Sequence, residues 1–255
     1  MQQHLNKVPA ITLSFWIMKI CATTLGETAG DLLSMTLDVG YAVSSLILIS
    51  FFIASLLGQL VSKAYNPWLY WLVILSTSTA GTTMSDYMDR TLGLGYASGS
   101  VILVTILALV LATWRFTQGS LAVTEIRSFK IEMFYWVAIL FSNTLGTALG
   151  DFLADSSGLG FAGGALLIAS IIFAITVLHF TTRIPGTVLF WAAFVLTRPL
   201  GATVGDLFTK SPEKGGLGFG TVGSSAILAA ILFGLILFDV LKKAEGRLVT
   251  ALEAE

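Results

Sequence analysis

The sequence predicts an all-α membrane protein, a bundle of eight transmembrane helices arranged as four parallel helical-hairpin repeats in two pseudo-symmetric halves. Three observations predict it. Of the 255 residues, 55% are hydrophobic and only 11% charged, whereas about a quarter of a soluble domain is charged. Apolar stretches such as 44–57 and 101–112 recur along the whole chain, leaving too little polar surface to cover a particle in water. A short pattern ending in aspartate returns four times, the mark of an internal repeat.

At about 20 residues per crossing, helices are expected at 9–33, 41–61, 67–88, 96–115, 132–153, 161–180, 186–208 and 219–240. The runs are continuous and lack the short alternating segments of an outer-membrane barrel. The first run reads as a helix and not a cleaved leader, because Lys19 interrupts it and no small-x-small site follows. The polar stretch 118–130 reads as a linker between a first half, 1–117, and a second half, 131–241. Residues 242–255 read as a short charged tail left in solvent.

Fourteen Lys plus Arg nearly cancel fifteen Asp plus Glu, so no global charge points to a nucleic-acid partner. The placement of charge is more informative. Lys7, Lys63, Arg115, Arg127, Lys130, Arg183, Lys242, Lys243 and Arg247 fall on the side of both termini, against Arg90, Lys210 and Lys214 on the other. The positive-inside rule then puts both termini in the cytoplasm. Trp68, Trp71, Trp114, Tyr135 and Trp136 lie near the same face and are expected to form an interfacial belt. Lys19 and Arg198 are left inside helices.

The repeats align on Asp31, Asp86, Asp151 and Asp206 in the pattern G-x-x-x-[GS]-D, which supplies the small pairs Gly26 and Gly30, Gly81 and Ser85, Gly146 and Gly150, and Gly201 and Gly205. A Gly-aromatic pair follows at Gly40, Gly95, Gly160 and Gly218. Asp31 to Asp151 and Asp86 to Asp206 are both 120 residues, so the chain is two halves of two repeats. An even helix count per repeat makes all four parallel, with their aspartates at one depth. This four-fold motif resembles a bacterial inner-membrane family catalogued as a repeat of unknown function. The resemblance implies repeated helix pairs in that membrane and no particular activity.

The glycine pairs have two readings: close helix packing in lipid, or local unwinding that turns carbonyls toward a cavity. The aspartates cost about 2.5–3.5 kcal/mol each at membrane depth, so four in register suggest a use. The plainer reading puts them at the far interface, paired with loop bases. Symmetry breaks at Glu27, four residues before Asp31, where the other repeats have Thr82, Thr147 and Ala202. Eight residues before the aspartates stand Thr23, Ser78, Asn143 and Arg198, a polar layer that either lines a path or joins helices by hydrogen bonds.

Oxygen ligands without a His or Cys cluster suit a hard cation. Asp31, Asp86, Asp151, Asp206 and Glu27 are therefore candidate ligands or proton carriers, with Lys19 and Arg198 as internal counter-charges. The leading expectation is a transporter of a small cation, a divalent metal such as manganese, with the lipid bilayer as its surroundings. A packed scaffold or sensor is the alternative and an intramembrane enzyme the third; the sequence offers no nucleophile-base pair or phosphate loop, and no enzymatic activity is expected. Cys21, the single cysteine, reads as a small core residue. Oligomeric state stays open.

Overall fold

Three helix starts in this chain follow ordinary side-chain capping chemistry. In the computed structural model, which describes residues 7–126 and 128–252 except for the side chains of 125, 243 and 246–252, the Thr12 hydroxyl accepts from the Phe15 amide to open α1 (Leu13–Asp31). Asn66 caps α3 (Pro67–Asp86), with Pro67 in the first turn where its missing N–H costs nothing. Ser128 caps α5 (Phe129–Asp151). The remaining helices are α2 (Tyr41–Val61), α4 (Tyr96–Gln118), α6 (Gly160–Thr181), α7 (Gly186–Thr209) and α8 (Thr221–Leu252).

Four helices form an inner square in which α1 and α5 each touch both α3 and α7. The other four surround it and expose large apolar side chains such as Leu46, Leu109, Leu166 and Phe233, the surface a lipid-facing helix requires. Among the described residues six helices, α2 and α4 through α8, are long and apolar enough to cross a membrane. The other two, α1 and α3, carry much of the polar interior and are shielded by the outer ring.

The expected hairpins are not the packing unit. α2 packs on α3, α4 on α5, α6 on α7, and α8 returns to α1. Each outer helix thus covers the inner helix of the next repeat, and the last covers the first. The reason is local: the first three inner helices end at their aspartates in a π-helical turn (Leu32–Thr36, Tyr87–Thr91, Phe152–Ser156), and the fourth runs three residues past Asp206 to Thr209 before a loop with a short 3-10 turn at Pro212–Lys214. The chain then passes sideways before it reverses.

That reversal uses two successive positive-φ positions: Asp38 and Gly40, Gly93 and Gly95, Gly158 and Gly160, Gly218 and Gly220. Gly220, not Gly218, is therefore the counterpart of Gly40. It lies 14 residues after Asp206 where the other repeats need 9, and α8 starts at Thr221, two residues later than the sequence predicts. Asp38 holds with an L side chain a conformation that glycine takes in the other three repeats.

Other boundaries shift too. The linker is shorter than 118–130, since α4 reaches Gln118 and α5 starts at Phe129. It is also packed, with Val123 and Ile126 buried and the Leu121 carbonyl accepting from the Trp191 indole. The tail is not a free strand of charge, because α8 continues to Leu252. At the same end Lys7 donates to Glu132 at 2.8 Å and to the Leu60 carbonyl, tying the start of the described chain across α2 and α5. His4, Arg127, Glu253 and Glu255, with the side chains of Lys243 and Arg247, lie outside the described residues.

Candidate functional site

Because the four inner helices are parallel and in register, equivalent positions form layers across the bundle axis. The layer farthest from the termini holds the four aspartates, all buried. They converge as two pairs, each clamped by one base. Lys210 Nζ lies 2.6 Å from Asp31 and 3.1 Å from Asp206. Arg90 lies 2.9 Å from Asp86 and 3.0 Å from Asp151, with its guanidinium between the rings of Tyr41 and Tyr96. Both bases are more exposed than the acids, so they cap the layer. Burial works against the charge on Lys210, but Asp206 and then Asp31 more than offset it and hold the ammonium above its ordinary range. These two bases fit the plainer sequence reading, in which the aspartates meet bases beyond the helix ends, and they hold the acids as two pairs.

One turn deeper, Glu27 meets Arg198. Arg198 Nη2 donates to Glu27 Oε2 at 2.8 Å and to the hydroxyls of Thr82 and Thr147, and also reaches the Ser78 carbonyl; Nη1 reaches the Thr23 carbonyl. Thr82 and Thr147 donate in turn to Glu27. An ion pair removed from water survives only if its remaining lone pairs and protons are satisfied, and here α3, α5 and the Thr23 carbonyl of α1 supply partners. Arg198 Nε is buried without one, and all the hydrogen bonds to Glu27 fall on its Oε2. Pro199, which follows, does not break α7.

Lys19 is not a counter-charge to the acids. It makes no ion pair among the described residues. Its ammonium nitrogen is 3.4 Å from Asn143 Oδ1 and 4.2 Å from the centre of the Phe194 ring, while Asn143 donates to Thr77. The physical reason is reach: Arg198, entering from α7, has already taken Glu27. At the level of Lys19 the other repeats place Ile74, Ile139 and Phe194.

Toward the termini the centre of the bundle is filled by aromatic side chains. Trp71, Trp114, Tyr135 and Trp136 are at most 1% exposed, so the interfacial belt expected there is instead an internal layer; Trp68 alone of the five remains substantially exposed. The Tyr70 and Tyr135 hydroxyls share a hydrogen bond of 2.6 Å across it, and Phe15, Phe190 and Trp191 complete it. The sequence held this signal unread: Phe15-Trp16, Tyr70-Trp71, Tyr135-Trp136 and Phe190-Trp191 stand at one spacing before the four aspartates. It also held the bases, since Arg90 and Lys210 each follow an aspartate by four residues.

Of the two glycine readings, the helices take packing, since all four inner helices run through their glycines without unwinding. A Cβ on Gly26 would fall 2.2 Å from Ser78 Cβ, on Gly81 2.9 Å from the Thr144 nitrogen, on Gly146 2.3 Å from Arg198 Cγ, and on Gly201 2.7 Å from the Thr23 carbonyl carbon. Each glycine thus receives the polar-layer residue of the next repeat or its neighbour, and the fourth receives the first. Gly30, Gly150 and Gly205 make the same contacts one turn on, against Thr82, Ala202 and Glu27. Cys21 is buried and unpaired, as a core residue should be.

As a donor set, Glu27, Asp31 and Asp206 each present a carboxylate oxygen within 4.8 Å of the other two. A family model described as Repeat of Unknown Function (DUF347) matches residues 14–65, 69–120, 134–184 and 189–244. No curated protein and no solved structure matches the chain.

Proposed function

The chain belongs to the family of this repeat of unknown function, and from that premise we propose that it is an integral membrane carrier of a small cation, a divalent metal such as manganese. In this reading the four repeats enclose one path within a single chain, in a bacterial inner membrane, with both termini in the cytoplasm. One observation carries the proposal: the oxygens of Glu27, Asp31 and Asp206 are spaced within 4.8 Å, which suits one hard cation at about 2.1–2.6 Å from each. The neighbourhood is also short of positive charge, since five acids share Arg90, Arg198 and Lys210.

Lys210 already places a cation between two of the ligands. For a metal to bind, the ammonium must withdraw, and the loop that carries it contains the positive-φ glycines Gly215 and Gly218. The proton and the tethered ammonium are then the two competitors of the transported ion. The test is Mn²⁺ flux into proteoliposomes with wild type, Asp31→Asn and Asp206→Asn. Flux is expected to fall to the protein-free level in both variants. Unaltered flux in both overturns the proposal.

The glycine contacts favour a second reading, a non-transporting scaffold in which the repeats only pack. In that case the same carboxamide variants keep function, while Gly26→Leu and Gly146→Leu abolish assembly.

A further inference from the structure

A lysine deep in the bundle, Lys19, has no role in holding the fold that its symmetry mates need. Three of the four equivalent positions are Ile74, Ile139 and Phe194, so the layer packs with apolar side chains. Lys19 is 0% exposed, and its polar contact is a single 3.4 Å hydrogen bond to Asn143. A buried ammonium without a carboxylate is costly, whereas a neutral amine can donate to Asn143 and lie on the Phe194 ring at low cost.

Its charged surroundings reinforce this. Arg198 comes from α7 and acts on Lys19 as a like charge. From α5 comes Asn143, which donates to Thr77 of α3, and neither is ionisable. The α8 segment that touches this part of α1, around Leu228, is apolar. On α1 itself the nearest acid is Glu27, engaged by Arg198. The Tyr70 and Tyr135 hydroxyls lie one layer toward the termini and are bonded to each other.

We propose that Lys19 is the proton-carrying residue of the carrier, taking a proton on its amine when the aromatic layer parts and the cation seat is empty, and surrendering it when the seat fills. The inference rests on the cation reading above. The proton comes from water reaching Nζ and returns to water, no other bond changes, and the two ends of the path supply that water in turn. A cation among Glu27, Asp31 and Asp206 and a proton on Lys19 exclude one another, because both add positive charge to one low-dielectric interior around Arg198. The result is exchange of cation against proton.

The test uses the full chain in proteoliposomes with a trapped pH dye and Mn²⁺ as the sole substrate. Wild type is expected to move protons opposite to a Mn²⁺ gradient. Lys19→Met is expected to keep Mn²⁺/Mn²⁺ exchange while proton movement falls to the protein-free background. Lys19→Ile, the residue that two other repeats carry at this level, is the second variant and should behave alike. Proton movement per Mn²⁺ that is unchanged in either variant overturns the inference and leaves the carrier standing. Absence of any Mn²⁺ exchange in wild type overturns the carrier reading, and this one with it.

Discussion

Arg198 and Glu27 form an ion pair 2.8 Å long in which neither side chain is more than 3% exposed. The pair joins α7 to α1, and the hydroxyls of Thr82 and Thr147 bring in α3 and α5. One guanidinium thus holds all four inner helices at a single level.

Removing it should be severe. Arg198→Met leaves Glu27 buried without a counter-charge, which costs about 3–5 kcal/mol, and the Tm in detergent should fall accordingly. Arg198→Met combined with Glu27→Gln should recover much of the loss, since no uncompensated charge remains. A double variant no more stable than the single one would contradict the pairing.

Gly26→Ala drives a methyl into Ser78 Cβ, and overpacking of this kind costs about 1–3 kcal/mol. Gly223→Ala, on a lipid-facing turn of α8 with nothing within 4 Å, should instead be neutral or stabilise by about 0.4–1 kcal/mol. Thermal unfolding of the two variants side by side checks the contrast.

Tyr70→Phe breaks the 2.6 Å hydroxyl pair and strands the Tyr135 hydroxyl in the aromatic layer. The expected loss is about 1–3 kcal/mol. Replacing both hydroxyls, Tyr70→Phe with Tyr135→Phe, should be milder than either single change. A double-mutant cycle on Tm measures the coupling.

Lys210→Gln removes the tethered competitor from Asp31 and Asp206. Mn²⁺ should then bind at least about tenfold more tightly, roughly 1.4 kcal/mol, as measured by calorimetry on purified protein. Arg90→Gln, which frees the other aspartate pair, should leave that affinity nearly unchanged. Equal gains from both would place the cation elsewhere.

Much of this architecture was legible in the sequence, because a four-fold repeat fixes which residues share a level once its helices are parallel. The aspartate layer and the polar set from Thr23 to Arg198 follow from counting alone. Which way a residue faces does not. Trp71 and Trp136 carry the composition of an interfacial belt, and only the packing of α3 and α5 into the inner square turns them inward. The hairpin expectation failed similarly, since sequence adjacency cannot reveal that a π-turn carries α2 past α1 to α3. Spacing puts Lys19 on the same face as Glu27, but the arrival of Arg198 from 171 residues away decides who pairs.

The ring closure from α8 back to α1 bears on how the protein is made. Of the inner four, α1 is made before the others and carries Lys19, Glu27 and Asp31, the largest set of buried charges among them. Its salt-bridge partners, Arg198 and Lys210, are 171 and 179 residues downstream, and its outer cover, α8, follows the other seven described helices in the chain. During synthesis the buried charges of α1 therefore stand without these partners until the fourth repeat arrives to complete their surroundings.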